Sequence, residues 1–183
     1  MGRQVYQKGQ RFLLDAVGQL AAQRDNLLLI VAGPQGGATA ELEQLHAQSG
    51  LGDRVRFLGN RTDVPEILAA ADLFVFPSLY EGLPGALIEA IALGLPVVAS
   101  NIAPVAEVVE DRRNALLVPP ESSVDLADAI RTLLEERPMA QAFGERSREI
   151  FLERFTLERS MERMVELYDR LLNQSEQLGA KVF

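Results

Sequence analysis

The stretch LFVFPSLYEGLPGALIEAIALGLPVVAS, Leu73–Ser100, decides the fold. LFVFPS (Leu73–Ser78) is a short, continuously apolar run, as expected of a strand covered on both faces. Gly82 loosens the approach to a helix that Pro84 can open, since a helix tolerates proline in its first turn. That helix is predicted over about Pro84–Leu93. PVVAS (Pro96–Ser100) then reads as a second buried strand. Strand, helix and strand in so short a span make a βαβ unit, whose strands must run parallel.

The same alternation extends outward. LLLIVAG (Leu27–Gly33), RVRFLG (Arg54–Gly59) and ALLVP (Ala115–Pro119) read as further strands. Between them, Phe12, Leu13, Ala16, Val17 and Leu20 form one helical stripe. Leu42 and Leu45 mark a second helix and Val64–Ala71 a third, with Asp63 as its N-cap and Glu66 as the capping-box acid. The predicted class is therefore an α/β doubly wound parallel sheet. After Pro120 the pattern is helical only: Ser122–Arg137, a break at Pro138, and a helix to about Phe155. Thr156 is the expected N-cap of an amphipathic last helix, with Leu157, Met161, Met164, Val165, Tyr168, Leu171 and Leu172 on one side. That stripe is expected to pack on this domain or on a neighbouring one. The tail beyond Gln174 has no periodicity and is expected to fray.

Composition narrows the function. At 183 residues the chain allows one compact unit. Eighteen Lys and Arg against 26 Asp and Glu give a net charge of −8, which disfavours a nucleic-acid partner. No long uncharged apolar window exists to cross a bilayer, and MGRQVYQKGQ lacks the apolar centre of a secretory signal. With no cysteine and one histidine, His46, no soft-metal ligand set is available. A cytoplasmic location is the default.

In open α/β sheets, ligands bind beyond the carboxyl ends of the strands. Glu89 is the only charge on the Pro84–Leu93 helix. A helix apolar all round is buried, and a buried carboxylate needs a partner, either a protein cation or a ligand. The first turn of that helix offers free N–H groups and the positive end of its dipole, suited to an anion. Glu89 lies about 7.5 Å further along the axis, a spacing that fits a diphosphate at the helix start and a ribose diol at Glu89. Glu81, just ahead of the helix, could meet a group on the other side of the phosphate. Arg3 and Lys8 flank a loop before the first helix and could neutralise a diphosphate from the opposite face. The backbone after RVRFLG could read a base edge. GPQGGA (Gly33–Ala38) fits neither GxGxxG nor GxxxxGK[ST] and is weak on its own.

Together these stretches resemble the C-terminal half of a GT-B glycosyltransferase of the large retaining family 4, also called group 1. The residues that carry the resemblance are Gly2, Arg3, Lys8 and Gly9; RVRFLG followed by Asp63; ADLFVFPS (Ala71–Ser78); Glu81 and Glu89 in EGLPGALIE; GLPVVAS (Gly94–Ser100); Glu107–Val109; and LLVPP. They stand in the family's order and cover residue 2 to about 155. The resemblance implies a Rossmann-like nucleotide-sugar-binding domain over 1–155, followed by a C-terminal helix and tail over 156–183.

It implies roles as well. Arg3 and Lys8 would hold the donor diphosphate and stabilise the leaving nucleotide. Glu89 would bind the ribose and Glu81 the donor sugar, with backbone amides near Gly82, Leu83 and Gly85 around sugar and phosphate. Backbone near Arg56, Phe57 and Leu58 would meet the base. The donor would be an NDP-sugar such as a UDP- or GDP-sugar. The acceptor would be a sugar, glycolipid or polysaccharide, and no metal would be required. Pro84 stands where the family often has glycine and removes one amide donor; Ile102-Ala103-Pro104 replaces frequent glycines and leaves sugar preference open. The family's strand leading into the GR motif, the first central strand of its sheet, has no counterpart here, and neither does the N-terminal acceptor-binding domain. The chain is thus expected to be a donor-binding half that is inactive alone and peripheral to a membrane in the complete enzyme. The competing expectation is a non-catalytic nucleotide-binding or assembly module that pairs with a separate acceptor domain. A receiver-like signalling domain would need an acidic cluster after an early strand, and GPQGGA supplies none.

Overall fold

The computed structural model describes residues 1–179, and the side chains as far as Leu172. Five strands alternate with helices: α1 Gln10–Ala21, β1 Leu29–Ala32, α2 Thr39–Ser49, β2 Val55–Gly59, α3 Val64–Ala69, β3 Phe74–Phe76, α4 Gly85–Ala92, β4 Val97–Ser100, α5 Ala103–Ala106 and β5 Ala115–Val118. Three helices follow: α6 Ser123–Glu135, α7 Arg137–Arg154 and α8 Leu157–Gly179. Every strand pair is parallel, as the βαβ reading requires. The fold is α/β and Rossmann-like, with a helical C-terminal end.

The strands form two separate ladders, β1 with β2, and β3 with β4 with β5. β4 shows why its sequence is apolar throughout. Val98 packs into a cluster with Leu14, Leu42, Leu126 and Ile130, whereas Val97 and Ala99 join Phe74, Phe76, Leu87, Ile91 and Ile150 on the other face. The two faces alternate along the strand, so both need apolar side chains. Burying each Leu or Ile of these clusters contributes about 1.5–3 kcal/mol.

Several local expectations change. Asp63 does not cap α3: no side-chain cap bond forms there, and its carboxylate accepts instead from Arg61 at 2.8 and 2.6 Å. The arginine's hydrogen bond holds the Asp63 carboxyl below its ordinary value. Ser122 does cap α6, accepting from the Asp125 N–H at 3.3 Å, and Thr156 likewise accepts from the Arg159 N–H. Pro138 ends nothing by itself; it sits in the first turn of α7, where its missing N–H costs no helical bond. The helix α8 continues to Gly179, past the expected fraying point, and residues 180–183 lie outside the described residues. Its stripe does not fold back onto the domain. Leu157, Met161, Met164, Val165 and Tyr168 are all more than half exposed. No helix among the described residues is long and apolar enough to cross a membrane.

Candidate functional site

The site grows from the amino-terminal loop, which is laced to the carboxyl ends of the strands. Gly2 N–H donates to the Ala32 carbonyl at 2.8 Å, Gln4 N–H to Pro34 at 3.0 Å, and Ala38 N–H returns to Gln4 at 3.0 Å. On the other side, Leu79 N–H donates to the Gln7 carbonyl at 2.8 Å. Two glycines make this lacing possible. Gly33 has φ +146°, and a Cβ there would stand 2.0 Å from the Gly2 oxygen; Gly9 has φ +61°, and a Cβ there would stand 2.0 Å from the Pro77 oxygen. Neither position admits a side chain. Gln10 adds a brace, its amide nitrogen 3.4 Å from both the Gly2 and Arg3 carbonyls.

This loop brings Lys8 to Glu81. Lys8 Nζ donates to Glu81 Oε1 at 2.6 Å, with the carboxylate side chain 8% exposed and the lysine side chain 23%. The ammonium also stands 5.8 Å from the Phe76 ring centroid, close enough for a cation–π contribution. Arg3, by contrast, is exposed and makes no ion pair among the described residues. The loop therefore presents one anchored and one unengaged cation.

Beside them α4 begins, with Pro84 as its N-cap. Among the described residues, the N–H groups of Gly82, Leu83 and Ala86 have no hydrogen-bond acceptor. Gly85 departs from expectation: its N–H donates to the Leu83 carbonyl at 2.9 Å and is taken. The open donors at the helix head are thus Gly82, Leu83 and Ala86. With the dipole behind them they suit an anion.

Glu89 is a further correction. It is exposed, so burial imposes no need for a partner. The physical reason is that α4 is covered on one side only. Leu87, Ala90 and Ile91 are buried, while Glu89 is exposed and Gly85, Ala86 and Ala92 are only partly covered. Glu89 nonetheless faces the same end of the molecule. The Met1 α-amine is pushed down to about 6 by burial and by the charge of Lys8, and the Glu89 carboxylate opposes that shift.

Of the remaining expected residues, Leu58 lines one cavity with Met1 and Lys8. Arg56, Phe57 and Leu58 lie inside β2, where Arg56 and Phe57 sit opposite Ile30 and Val31. The carbonyl at the strand's end, Gly59, accepts from Gly33 N–H at 2.8 Å. His46 contacts the Gly52 carbonyl at 2.9 Å and meets Phe57 edge-on. No cluster of His, Cys, Asp or Glu able to hold a metal occurs among the described residues. GPQGGA has a role that the sequence reading missed. It is the surface on which the Arg3 loop is folded, and its only sequence signal is glycine density just after a strand.

Known proteins resemble this chain in sequence and fold. Residues 1–150 match the family model described as glycosyl transferases group 1. The lipopolysaccharide core biosynthesis mannosyltransferase LpsB of Rhizobium meliloti (strain 1021) is 29% identical over 93% of this chain and 50% of its own length. The 2-deoxystreptamine glucosyltransferase of Streptomyces kanamyceticus is 31% identical over 94% of this chain and 45% of its own. Among solved structures, Anabaena HepE in complex with UDP-glucose superposes with a TM-score of 0.84 at 30% identity, over 92% of this chain and 48% of that one. The chain spans about half the length of the curated relatives it matches.

Proposed function

The chain belongs to the group 1 glycosyl transferases, and we propose that it serves as the donor-binding half of a retaining enzyme that transfers a sugar from an NDP-sugar. The observation that carries this reading is the convergence of Arg3, Lys8 and the open amides of Gly82, Leu83 and Ala86 at one end of the sheet. Cations on one side and a helix head on the other bracket a space suited to a diphosphate. As the glycosidic bond breaks, negative charge develops on the leaving β-phosphate. Donors fixed in advance stabilise that charge without reorganising.

In this reading Arg3 and Lys8 hold the diphosphate. Glu89, exposed five residues beyond Pro84, accepts from the ribose hydroxyls. Glu81 orients the donor sugar while it steadies Lys8, and backbone at Arg56–Leu58 faces the base. Lys8 already carries a carboxylate partner, so a phosphate must share that ammonium or displace Glu81. No metal is needed where side-chain cations and a helix dipole do this work. The acceptor, a sugar, glycolipid or polysaccharide, is positioned by an N-terminal domain, and transfer requires both halves. The complete enzyme works in the cytoplasm, peripheral to a membrane. HepE, with UDP-glucose bound in its structure, supports a nucleotide-sugar donor.

A thermal-shift panel of UDP, GDP and ADP tests the reading. A ligand at one hundred times its Kd adds about 2.7 kcal/mol to the native state, a rise of about 5–11 °C in a domain of this size. One of the three nucleotides is expected to give it, with no sugar transfer by this chain alone. Flat melting curves with all three would overturn the proposal.

A further inference from the structure

Between Arg3 and Lys8 the amino-terminal loop makes one turn of 3-10 helix, Tyr6–Lys8, and each of its side chains is tied to another part of the chain. Lys8 donates to Glu81 at 2.6 Å, and Gln7 Oε1 accepts from the Tyr80 hydroxyl at 3.2 Å. Both partners lie in the stretch between β3 and α4. Tyr6 reaches instead to the turn between β5 and α6, where its hydroxyl donates to Glu121 Oε1 at 3.2 Å. Its ring is 53% exposed, so packing does not hold it. The Glu121 carboxylate, by its charge and its hydrogen bond, raises the hydroxyl above its ordinary pKa. Arg11 and Glu41, themselves paired at 2.8 Å, oppose and add to that shift respectively.

Glu121 makes that bond from a strained backbone. Its φ is +64°, in the left-handed region that glycine enters freely, and among the described residues Arg112 is the one other non-glycine there. A glutamate held in that region costs stability. Nothing local offsets the strain. Ser122 caps α6, and Asp125 already places a carboxylate in the first turn of that helix. A local rule broken without a local gain points to a gain elsewhere. Among the described residues, the hydrogen-bond partner of the Glu121 carboxylate is Tyr6.

We propose that Tyr6 and Glu121 are positioning residues of the donor site, an inference that rests on the donor-binding reading above. Their hydrogen bond latches the Tyr6–Lys8 turn to the loop after β5, so that Arg3 and Lys8 stand in place before a diphosphate arrives. Neither residue touches the ligand. A loop ordered in advance loses less freedom on binding, and the difference appears as affinity. One exposed hydrogen bond sets the scale at about threefold. The sign of the effect separates a latch from plain electrostatics. Removing the Glu121 charge would by itself tighten an anionic nucleotide, whereas losing the latch loosens it.

The test titrates the full chain and its variants with UDP, GDP and ADP by calorimetry, beside their melting temperatures. Tyr6→Phe and Glu121→Gly are each expected to weaken nucleotide binding about threefold, and the double variant no further, since both remove one bond. Glu121→Gln keeps an acceptor for the Tyr6 hydroxyl and is expected to retain the parent affinity. Glu121→Gly is expected to melt no lower than the parent, because glycine relaxes the left-handed backbone. Without nucleotide, Tyr6→Phe is expected to speed hydrogen exchange about threefold at the Lys8 and Gly9 N–H groups, which donate to the Val5 and Tyr6 carbonyls at 3.0 Å. Unchanged exchange in Tyr6→Phe overturns the proposal, as do additive losses of affinity. A loss in Glu121→Gly that tracks a fall in melting temperature also overturns it, since the role would then be structural only. A parent chain that binds none of the three nucleotides overturns the donor reading and this proposal with it. A parent that binds, with variants that bind equally well, overturns the latch alone.

Discussion

Replacing Lys8 with methionine leaves the Glu81 carboxylate charged, 8% exposed and without its cation. The size of the loss follows from the contact. Two unit charges 2.6 Å apart attract by about 1.6 kcal/mol in bulk water and by about 6 kcal/mol at an effective dielectric constant of 20. The lysine end, 23% exposed, lets solvent screen part of the upper figure, and desolvation offsets more of it. A coupling of about 2–4 kcal/mol remains, well above the 0.2–1 kcal/mol of exposed pairs. A double-mutant cycle of Lys8→Met, Glu81→Gln and the pair, by urea unfolding, isolates it. Lys8→Met alone is expected to lower Tm by about 4–16 °C, and the double variant to recover part of that. A coupling below about 0.5 kcal/mol would refute the reasoning, because Lys8 and Glu81 would then behave as a solvated surface pair.

The lacing of the amino-terminal loop gives a second expectation. Gly33→Ala drives a Cβ into the Gly2 oxygen at a φ of +146°; it should cost about 3 kcal/mol or more in urea unfolding and weaken nucleotide binding. Gly37→Ala, four residues along with open space at its Cβ, should do neither. Helix capping supplies a third. Ser122→Ala removes a bond to the Asp125 N–H and should cost about 1 kcal/mol, whereas Asp63→Ala, which removes no cap from α3, should leave the melting temperature unchanged.

The strands were legible because their runs are apolar on both faces, and the structure places all five within the stretches read as strands. The helix of Leu73–Ser100 was legible from Pro84 at its start. Glu89 misled because periodicity reports what a helix can bury, not what covers it; α4 has a neighbour on one side only, and its other side stays open. Asp63 misled because a cap competes with any nearby cation, and Arg61 won. GPQGGA was undervalued because its partners, Gly2 and Gln4, lie far away in sequence, where spacing carries no information. The Lys8–Glu81 contact spans a larger separation still, 73 residues. The local pattern set both residues around one diphosphate, but nothing in it paired them with each other, as the structure does.

The measurement that bears most directly on the donor-binding claim is a nuclear magnetic resonance titration of the amide-labelled chain with UDP, GDP and ADP. If the helix head and the loop cations bind a diphosphate, the N–H signals of Gly82, Leu83 and Ala86 move saturably with one of these nucleotides. Lys8→Met should then weaken that binding by about tenfold or more, the worth of one charge-assisted hydrogen bond. Signals that stay fixed with all three nucleotides, or an affinity indifferent to Lys8, would contradict the account.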